Sequence, residues 1–248
     1  MAKNSMPRIL VVDDEPDTCA NLSDILTDQG YQVDVAHDGL AALELVKKNT
    51  YDVALLDLKM PGIDGLELYR RIRMISADTV AIVVTAYASS MTATSVLGAG
   101  AWKILSKPVN LPQLLGFVGQ ALSQPLVLVV DDDREMCDSL RELFRDRDYR
   151  VCLAHDVPEA QQRLEKRDFH VVLVDMKLPS GDGTTVLDCV RRANPEARSV
   201  IITGFRGEME RRVQTALAGG ASAVCYKPFE VRQLLSTVRK LCEEHDSE

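Results

Sequence analysis

The sequence predicts two doubly wound α/β domains in tandem, each built on a five-stranded parallel sheet. Short runs rich in Val, Ile and Leu alternate with amphipathic helical patterns within about 115 residues, as is typical of parallel strands joined by helices. The whole pattern returns after 118 residues. A repeat of this length indicates a duplicated domain, because the units of solenoid proteins are far shorter.

The five strands of the first copy are predicted from their length and their β-branched composition. They are, in chain order, RILVVD (8–13), QVDVA (32–36), DVALLD (52–57), TVAIVV (79–84) and WKILS (102–106). The stretches between them have helical periodicity. In TCANLSDILTDQG (18–30), Leu22, Ile25 and Leu26 share one face, and Gly30 ends the helix.

Three further segments follow the same duplication. LLDLKMPGIDG (55–65) returns as LVDMKLPSGDG (173–183), IVVTAY (82–87) as VIITGF (200–205), and GAWKILSKP (100–108) as GASAVCYKP (220–228). The last pair is offset by 120 residues, so the second copy carries two additional residues before it. The helical segment LPQLLGFVGQAL ends the first copy. The predicted domains are therefore 8–122 and 126–242, joined by a short linker at 123–125.

The composition argues against several classes of protein. The chain has 248 residues, 46% of them hydrophobic, and a formal net charge of −8. Acidic residues outnumber basic ones 14 to 10 up to residue 124 and 23 to 19 beyond it, which predicts no nucleic-acid surface. The absence of a signal peptide or long apolar run predicts a cytoplasmic protein with no membrane partner. The six cysteines form no CxxC or Cys/His cluster and are predicted to be reduced and buried.

Charged and polar residues fall at the ends of four predicted strands. Asp13 and Asp14 follow the first strand, Asp57 ends the third, Thr85 follows the fourth and Lys107 follows the fifth. The carboxyl ends of parallel strands share one edge, where doubly wound folds bind ligands, so these side chains are predicted to lie together. Three carboxylates suit Mg²⁺. A lysine beside them suits an anion that the same metal holds.

This combination indicates a phosphoryl site with the central aspartate as nucleophile, where a threonine hydroxyl can donate to the anion. The second copy repeats every member as Asp131, Asp132, Asp175, Thr203 and Lys227. An isolated Asp before a helix is usually an N-cap. A cap requires one acid, however, whereas each copy places two here and a third on the next central strand.

The motifs DD, D, T and KP, twice in this order, resemble the receiver domain of bacterial response regulators over nearly the whole chain. The resemblance implies a flavodoxin-like fold with one Mg²⁺ in each domain. It also implies that Asp57 and Asp175 accept phosphoryl groups from phosphohistidine on a histidine kinase or histidine phosphotransfer protein. The chain would then be a phosphoacceptor, not an enzyme, apart from Mg²⁺-dependent self-phosphorylation and autodephosphorylation.

The resemblance also implies roles for the surrounding residues. Asp14 and Asp132 would bind Mg²⁺ directly, Asp13 and Asp131 would bind it through water, and the backbone carbonyls of Lys59 and Lys177 would complete the metal shell. The side chains that would meet the phosphoryl oxygens are Thr85, Lys107, Thr203 and Lys227. The peptide bonds before Pro108 and Pro228 resemble the cis Lys-Pro bond of the family.

One position in each copy departs from the family. Receivers commonly carry Tyr or Phe three residues before the lysine, where this chain has Ile104 and Val224. Because side chains alternate along a strand, Tyr226 is predicted to share the face of Val224, closer to the site. Tyr226 is therefore a candidate substitute for the missing ring, and the first copy has Ser106 at the equivalent position.

The sequence thus predicts a tandem-receiver response regulator of a two-component phosphorelay that signals through contacts with an unknown downstream protein. One alternative is a regulatory fragment of a longer protein that has its own output domain. Another is an aspartate-nucleophile phosphatase. Phosphatases of that class carry DxDx[TV] after the first strand, and neither DDEPD (13–17) nor DDDRE (131–135) matches it.

Overall fold

The computed structural model describes residues 6–86, 94, 96–98, 100–179, 181–204 and 210–245, without the side chains of 210–212. The chain divides into two compact units between Gln124 and Pro125. Each unit contains a five-stranded parallel sheet with apolar cores on both of its faces. The predicted fold class, two flavodoxin-like domains in tandem, is confirmed.

The first unit follows the predicted order of strands and helices. Its strands are β1 (Arg8–Val12), β2 (Gln32–Ala36), β3 (Val53–Asp57), β4 (Val80–Thr85) and β5 (Lys103–Ser106). Its helices are α1 (Pro16–Asp28), α2 (Gly39–Lys48), α3 (Gly65–Ile75) and α4 (Leu111–Leu122), and residues 94 and 96–98 are also helical. The spatial order of strands is β2-β1-β3-β4-β5. It changes direction between β1 and β3, which is where ligands bind in such sheets.

The second unit repeats this order and adds a small hairpin. Its strands are β6 (Leu126–Val130), β7 (Arg150–Ala154), β8 (Val171–Asp175), β9 (Lys177–Leu178), β10 (Gly181–Asp182), β11 (Arg198–Thr203) and β12 (Ala223–Tyr226). Its helices are α5 (Arg134–Arg145), α6 (Val157–Lys166), α7 (Gly183–Ala193), α8 (Glu210–Ala218) and α9 (Val231–His245). The main sheet has the order β7-β6-β8-β11-β12, and β9 pairs antiparallel with β10. The sequence did not predict this hairpin, because two-residue strands carry no periodic signal.

Alternate residues of each strand enter opposite cores of the sheet. In β1, Ile9 and Val11 pack in the core that contains residues of α1 and α4, whereas Leu10 and Val12 pack with residues of α2 and α3. All four side chains are at most 1% exposed. Burial on both faces explains why the strands are continuous apolar runs. It also confines the polar side chains of the sheet to the strand ends.

Short polar side chains start most of the helices. An Asp or Asn oxygen accepts a first-turn backbone N–H in six of them, at Asp38, Asp64, Asn110, Asp133, Asp156 and Asp182. Helix α1 differs, because its N-cap Glu15 makes no such bond. Instead, Asp13 Oδ1 accepts the backbone N–H of Glu15 at 3.0 Å. Gly30, with φ of 86°, follows α1 where the sequence predicts its end. Among the described residues, no helix has the length and apolarity needed to span a membrane.

The cysteines are buried and form no disulfides, as predicted, at Cys19, Cys137, Cys152, Cys189, Cys225 and Cys242. Burial raises the pKa of Cys19 and of Cys225, and it raises the pKa of Cys137 to about 12. Because the thiolate is the reactive form, we expect the native protein to react slowly with an aromatic disulfide reagent at pH 8. All six thiols should react once urea unfolds the chain, whereas rapid labelling of native protein would contradict this burial.

Candidate functional site

Three carboxylates converge at the carboxyl edge of the first sheet. Asp13 and Asp57 are 3% and 7% exposed, while Asp14 is open to solvent, and one oxygen of each lies within 4.8 Å of the others. The register of the sheet produces this convergence. Val12 lies opposite Leu56 in the pairing of β1 with β3, so the residues that follow both strands reach the same edge.

The second sheet contains the same arrangement. Asp131 and Asp175 are 1% and 8% exposed, Asp132 is exposed, and their oxygens again lie within 4.8 Å of one another. The Lys227 ammonium donates to Asp131 Oδ2 at 2.7 Å and to Asp175 Oδ2 at 2.8 Å. The structure therefore brings together every carboxylate that the sequence singled out in this domain.

A lysine also bridges the two buried carboxylates of the first domain. Lys107 Nζ donates to Asp13 Oδ2 at 2.7 Å and to Asp57 Oδ2 at 3.2 Å. The Lys107–Pro108 and Lys227–Pro228 peptide bonds are both cis, as the family resemblance implied. The ammonium partly compensates charges that would otherwise repel each other in a buried setting.

These ion pairs set the direction of the lysine pKa shifts. Burial alone lowers the pKa of Lys107, but the hydrogen bonds and charges of Asp13 and Asp57 outweigh burial and raise that pKa. The pKa of Lys227 is raised for the same reasons. A lysine whose pKa is higher in the folded state stabilises the fold fully at neutral pH. That contribution is lost only as pH rises above about 10.4, the ordinary lysine value, and through the raised folded-state value.

We expect Lys107→Met to weaken the metal-free protein and to increase its stabilisation by Mg²⁺. Two buried carboxylates then lose their ammonium partner, which should lower the free energy of unfolding by roughly 1–3 kcal/mol. Mg²⁺ no longer competes with an ammonium for the same oxygens, so added metal should restore stability. Trp102, the only tryptophan, lies in the first domain, so its fluorescence during urea unfolding follows that domain.

Lys47→Met is the matched control, because Lys47 forms only an exposed helical ion pair with Glu44. Its stability should change by less than about 0.5 kcal/mol, with or without Mg²⁺. If Mg²⁺ stabilised Lys107→Met no more than it stabilises the wild type, the ammonium and the metal would not share these oxygens.

Each threonine is tied to the neighbouring lysine through the backbone. Thr85 and Thr203 end β4 and β11 and are 0% and 2% exposed. The carbonyl of Thr85 accepts the N–H of Lys107 at 2.9 Å, and that of Thr203 accepts the N–H of Lys227 at 2.7 Å. The structure thus places the predicted threonines at the carboxylate edge, beside the strands that lead to the lysines.

The predicted carbonyl donors lie in the loops that follow the central aspartates. Lys59 and Lys177 have exposed side chains. Their backbone N–H groups donate to Asp57 Oδ1 at 3.4 Å and to Asp175 Oδ1 at 3.1 Å. These contacts keep each loop beside its aspartate.

Two cysteines below the acidic pairs did not figure in the sequence-based site. Cys19 Sγ donates to the carbonyl of Asp13 at 3.2 Å, and Cys137 Sγ donates to that of Asp131 at 3.3 Å. These contacts link the first turn of α1 and of α5 to the backbone of the acidic pair. Their 118-residue offset, the same as that of the aspartates, is the signal that could have identified them.

A glycine starts the helix after each central aspartate. The N–H of Gly65 donates to the carbonyl of Leu58 at 3.0 Å. A Cβ at Gly65 would collide with the carbonyl oxygen of Asp57, and one at Gly183 would collide with that of Asp175. Sequence analysis treated these glycines only as part of the repeat, although they hold the helix start against the site.

Tyr226 lies where its strand register predicts. It pairs with Thr203, two residues beyond the pair of Ile201 with Val224. Its side chain is half-buried, whereas Ser106, which pairs with Thr85 in the first domain, is exposed. The two domains therefore differ beside their threonines.

The donor set of each domain fits a hard divalent cation. Three carboxylates face a single ammonium, so the site retains net negative charge. All of its ligand atoms are oxygens, which Mg²⁺ prefers. In both domains, the same residues could hold a metal and meet an anion beside it.

Comparisons with known proteins agree with this arrangement. The family model described as the response regulator receiver domain matches residues 9–118 and again 127–239. A response regulator receiver protein of Anaeromyxobacter sp. (strain Fw109-5) is 34% identical over 239 residues, which cover 96% of this chain and 97% of that protein. The response regulator MprA of Mycobacterium ulcerans (strain Agy99) is 37% identical over 139 residues, 56% of this chain and 58% of that protein.

Solved structures match about half of the chain. A CheY-like receiver domain protein from Methanospirillum hungatei JF-1 is 33% identical and covers 48% of this chain and 94% of its own, with a TM-score of 0.46. The response regulator TrrA from Thermotoga maritima, solved with Mg²⁺ and BeF, is 38% identical and covers 47% and 99%, with a TM-score of 0.43. On the family matches and the full-length relative, this chain belongs to the response regulator receiver family of two-component signalling and carries two receiver domains in tandem.

Proposed function

We propose that both domains are phosphoacceptors in a phosphorelay, with Asp57 and Asp175 receiving phosphoryl groups from phosphohistidine. The donor is a histidine kinase or a histidine phosphotransfer protein. The observation that carries this proposal is the lysine that bridges two buried carboxylates at the carboxyl edge, because it recurs with the same partners in both domains. We assign the receivers to 8–122 and 126–242, with 123–125 as linker.

The residues of each site divide the work of transfer. An oxygen of the Asp57 carboxylate forms a bond to phosphorus while the bond from phosphorus to the imidazole nitrogen breaks, and the imidazole leaves with the electron pair. Lys107, whose ammonium contacts Asp57 Oδ2 at 3.2 Å, pairs with the phosphoryl oxygens. The Thr85 hydroxyl donates to the same oxygens. Asp175, Lys227 and Thr203 have these roles in the second domain.

The acidic residues hold the metal in this proposal. Asp14 and Asp132 bind Mg²⁺ directly, Asp13 and Asp131 bind it through water, and Asp57, Asp175 and the carbonyls of Lys59 and Lys177 complete the two shells. When bound, Mg²⁺ neutralises negative charge shared by the carboxylates and the phosphoryl oxygens. The chain self-phosphorylates and dephosphorylates only in this Mg²⁺-dependent sense.

We also propose that the phosphorylated chain acts in the cytoplasm through protein contacts, without binding nucleic acid itself. The support for this part is electrostatic, because acidic residues outnumber basic ones in both halves of the chain. A downstream protein, or a further domain of a longer protein, then reads the phosphorylated state.

Acetyl phosphate and Mg²⁺ test the proposal directly. Intact-mass analysis of the wild-type chain should show two added phosphoryl groups, and both should be lost on hydrolysis as expected for an acyl phosphate. EDTA, added before acetyl phosphate, should prevent both additions, because the aspartates then lack the cation that neutralises their charge. A chain that gains no phosphoryl group under these conditions would overturn the proposal.

A further inference from the structure

The loop after each central aspartate packs against the first turn of the helix that precedes that strand. In the first domain, this contact joins Gly39 of α2 to Ile63 of the loop. In the second domain, it joins Val157 of α6 to Gly181. Both pairs are related by the same 118-residue offset, so they are equivalent positions of the duplicated domain. The large and the small residue have exchanged sides.

The spacing shows that each glycine is required by the residue opposite. A Cβ on Gly39 would lie 2.9 Å from Ile63 Cβ and 3.3 Å from its Cγ2. A Cβ on Gly181 would lie 3.2 Å from Val157 Cγ2. Neither glycine has a positive φ, so the backbone does not demand glycine at either position. Each contact has room for one branched side chain, and the two domains supply it from opposite elements.

The packed residue lies close to the proposed carbonyl donor along the loop. In the second domain, Gly181 pairs with Leu178 and Asp182 pairs with Lys177 in the β9–β10 hairpin. A shift of Gly181 therefore moves Lys177 through one backbone pair. In the first domain, Ile63 immediately precedes Asp64, the N-cap of α3.

Both ends of the first-domain loop are held by the backbone. The Lys59 N–H donates to Asp57 Oδ1 at 3.4 Å, and the Gly65 N–H donates to the Leu58 carbonyl at 3.0 Å. Between these anchors, the contact of Ile63 with Gly39 limits how far the loop can approach α2. The carbonyl of Lys59 moves with the same segment.

We propose that Ile63 and Val157 are positioning residues for the metal sites. Each fills the space opposite a glycine and so sets the distance between the helix and the loop that presents the Lys59 or Lys177 carbonyl to Mg²⁺. This inference rests on the proposed function, since that function assigns these carbonyls to the metal. Outer residues that orient metal ligands typically affect affinity more than they affect the fold.

A reciprocal swap in the full-length chain tests the inference. Asp131→Ala with Asp132→Ala provides the background, so that calorimetric titration with Mg²⁺ reports the first domain. Gly39→Val alone should crowd the contact, and Ile63→Gly alone should leave a gap. Each should raise the Kd for Mg²⁺ about tenfold. The double variant recreates the second-domain arrangement and should return the Kd to within about twofold of the background.

Two further measurements separate positioning from general damage to the fold. With acetyl phosphate, each single variant should need more Mg²⁺ but reach the background extent of phosphorylation at saturating Mg²⁺. Leu40→Ala, which removes an exposed aliphatic side chain from the same helical turn, should leave the Kd unchanged. If Gly39→Val or Ile63→Gly does not fold, Gly39→Ala and Ile63→Ala replace them, with proportionally smaller shifts in Kd.

The outcomes distinguish this inference from the proposed function. Unchanged Kd values in the single variants, or a double variant no better than the singles, would overturn the positioning role. Phosphorylation that saturating Mg²⁺ fails to recover would also overturn it. A wild-type chain that binds no Mg²⁺ would instead overturn the proposed function, and the inference would fall with it.

Discussion

Asp57→Asn should leave one phosphoryl group on the chain after treatment with acetyl phosphate and Mg²⁺, and Asp175→Asn should also leave one. The double variant should carry none. An amide lacks the anionic oxygen that attacks phosphorus, while its shape matches the carboxylate closely enough to preserve the fold. Intact-mass analysis counts the groups, and peptide mapping assigns each of them to a domain.

Asp188→Asn is the matched control, because Asp188 lies on the exposed surface of α7, in an ion pair with Arg191. It should retain two phosphoryl groups. Acid-labile phosphate on the double variant would identify a different acceptor. A wild-type chain that never exceeds one group, together with an Asp175→Asn chain that still carries one, would mean that the second domain is silent despite its complete site.

Gly65→Ala should both destabilise the first domain and abolish phosphorylation of Asp57. The added Cβ would collide with the carbonyl oxygen of Asp57, and backbone cannot yield as a flexible side chain can. Overpacking of this kind costs roughly 1–3 kcal/mol and displaces the backbone. Here the displaced backbone carries the phosphoacceptor. Urea unfolding followed by Trp102 fluorescence measures stability, and intact mass measures phosphorylation.

Gly116→Ala is the control, because Gly116 lies inside α4 and a Cβ there would meet nothing within 4 Å. This change should stabilise the first domain by about 0.5–1 kcal/mol, since alanine loses less backbone entropy in a helix. A Gly65→Ala chain with wild-type stability and full phosphorylation would show that the helix start can move without disturbing the site.

Much of the fold could be predicted from local patterns. The apolar runs that became β1, β3 and β4 are continuous because both faces of those strands are buried. Gly30 was predicted to end the first helix, and its positive φ explains why glycine stands there. The edge on which the site residues meet followed from parallel pairing alone.

The β9–β10 hairpin and the exchanged packing pair could not be predicted. The hairpin involves two residues on each side, too few to show a period. The exchange between Gly39 with Ile63 and Val157 with Gly181 depends on distances across the fold, and glycine in either loop or helix has several unrelated explanations in a sequence. Such contacts become visible only when both partners are placed.

The sequence by itself determined the duplication, the parallel sheets and the chemical identity of the site residues. These follow from the order of residues along the chain, which a linear pattern records. Only the tertiary structure decided that Lys107 bridges Asp13 and Asp57, that cysteines donate to the acidic pairs, and that Gly65 has no room for a side chain. Ion pairing and steric exclusion act over a few ångströms between residues far apart in the chain, so they depend on how the elements pack.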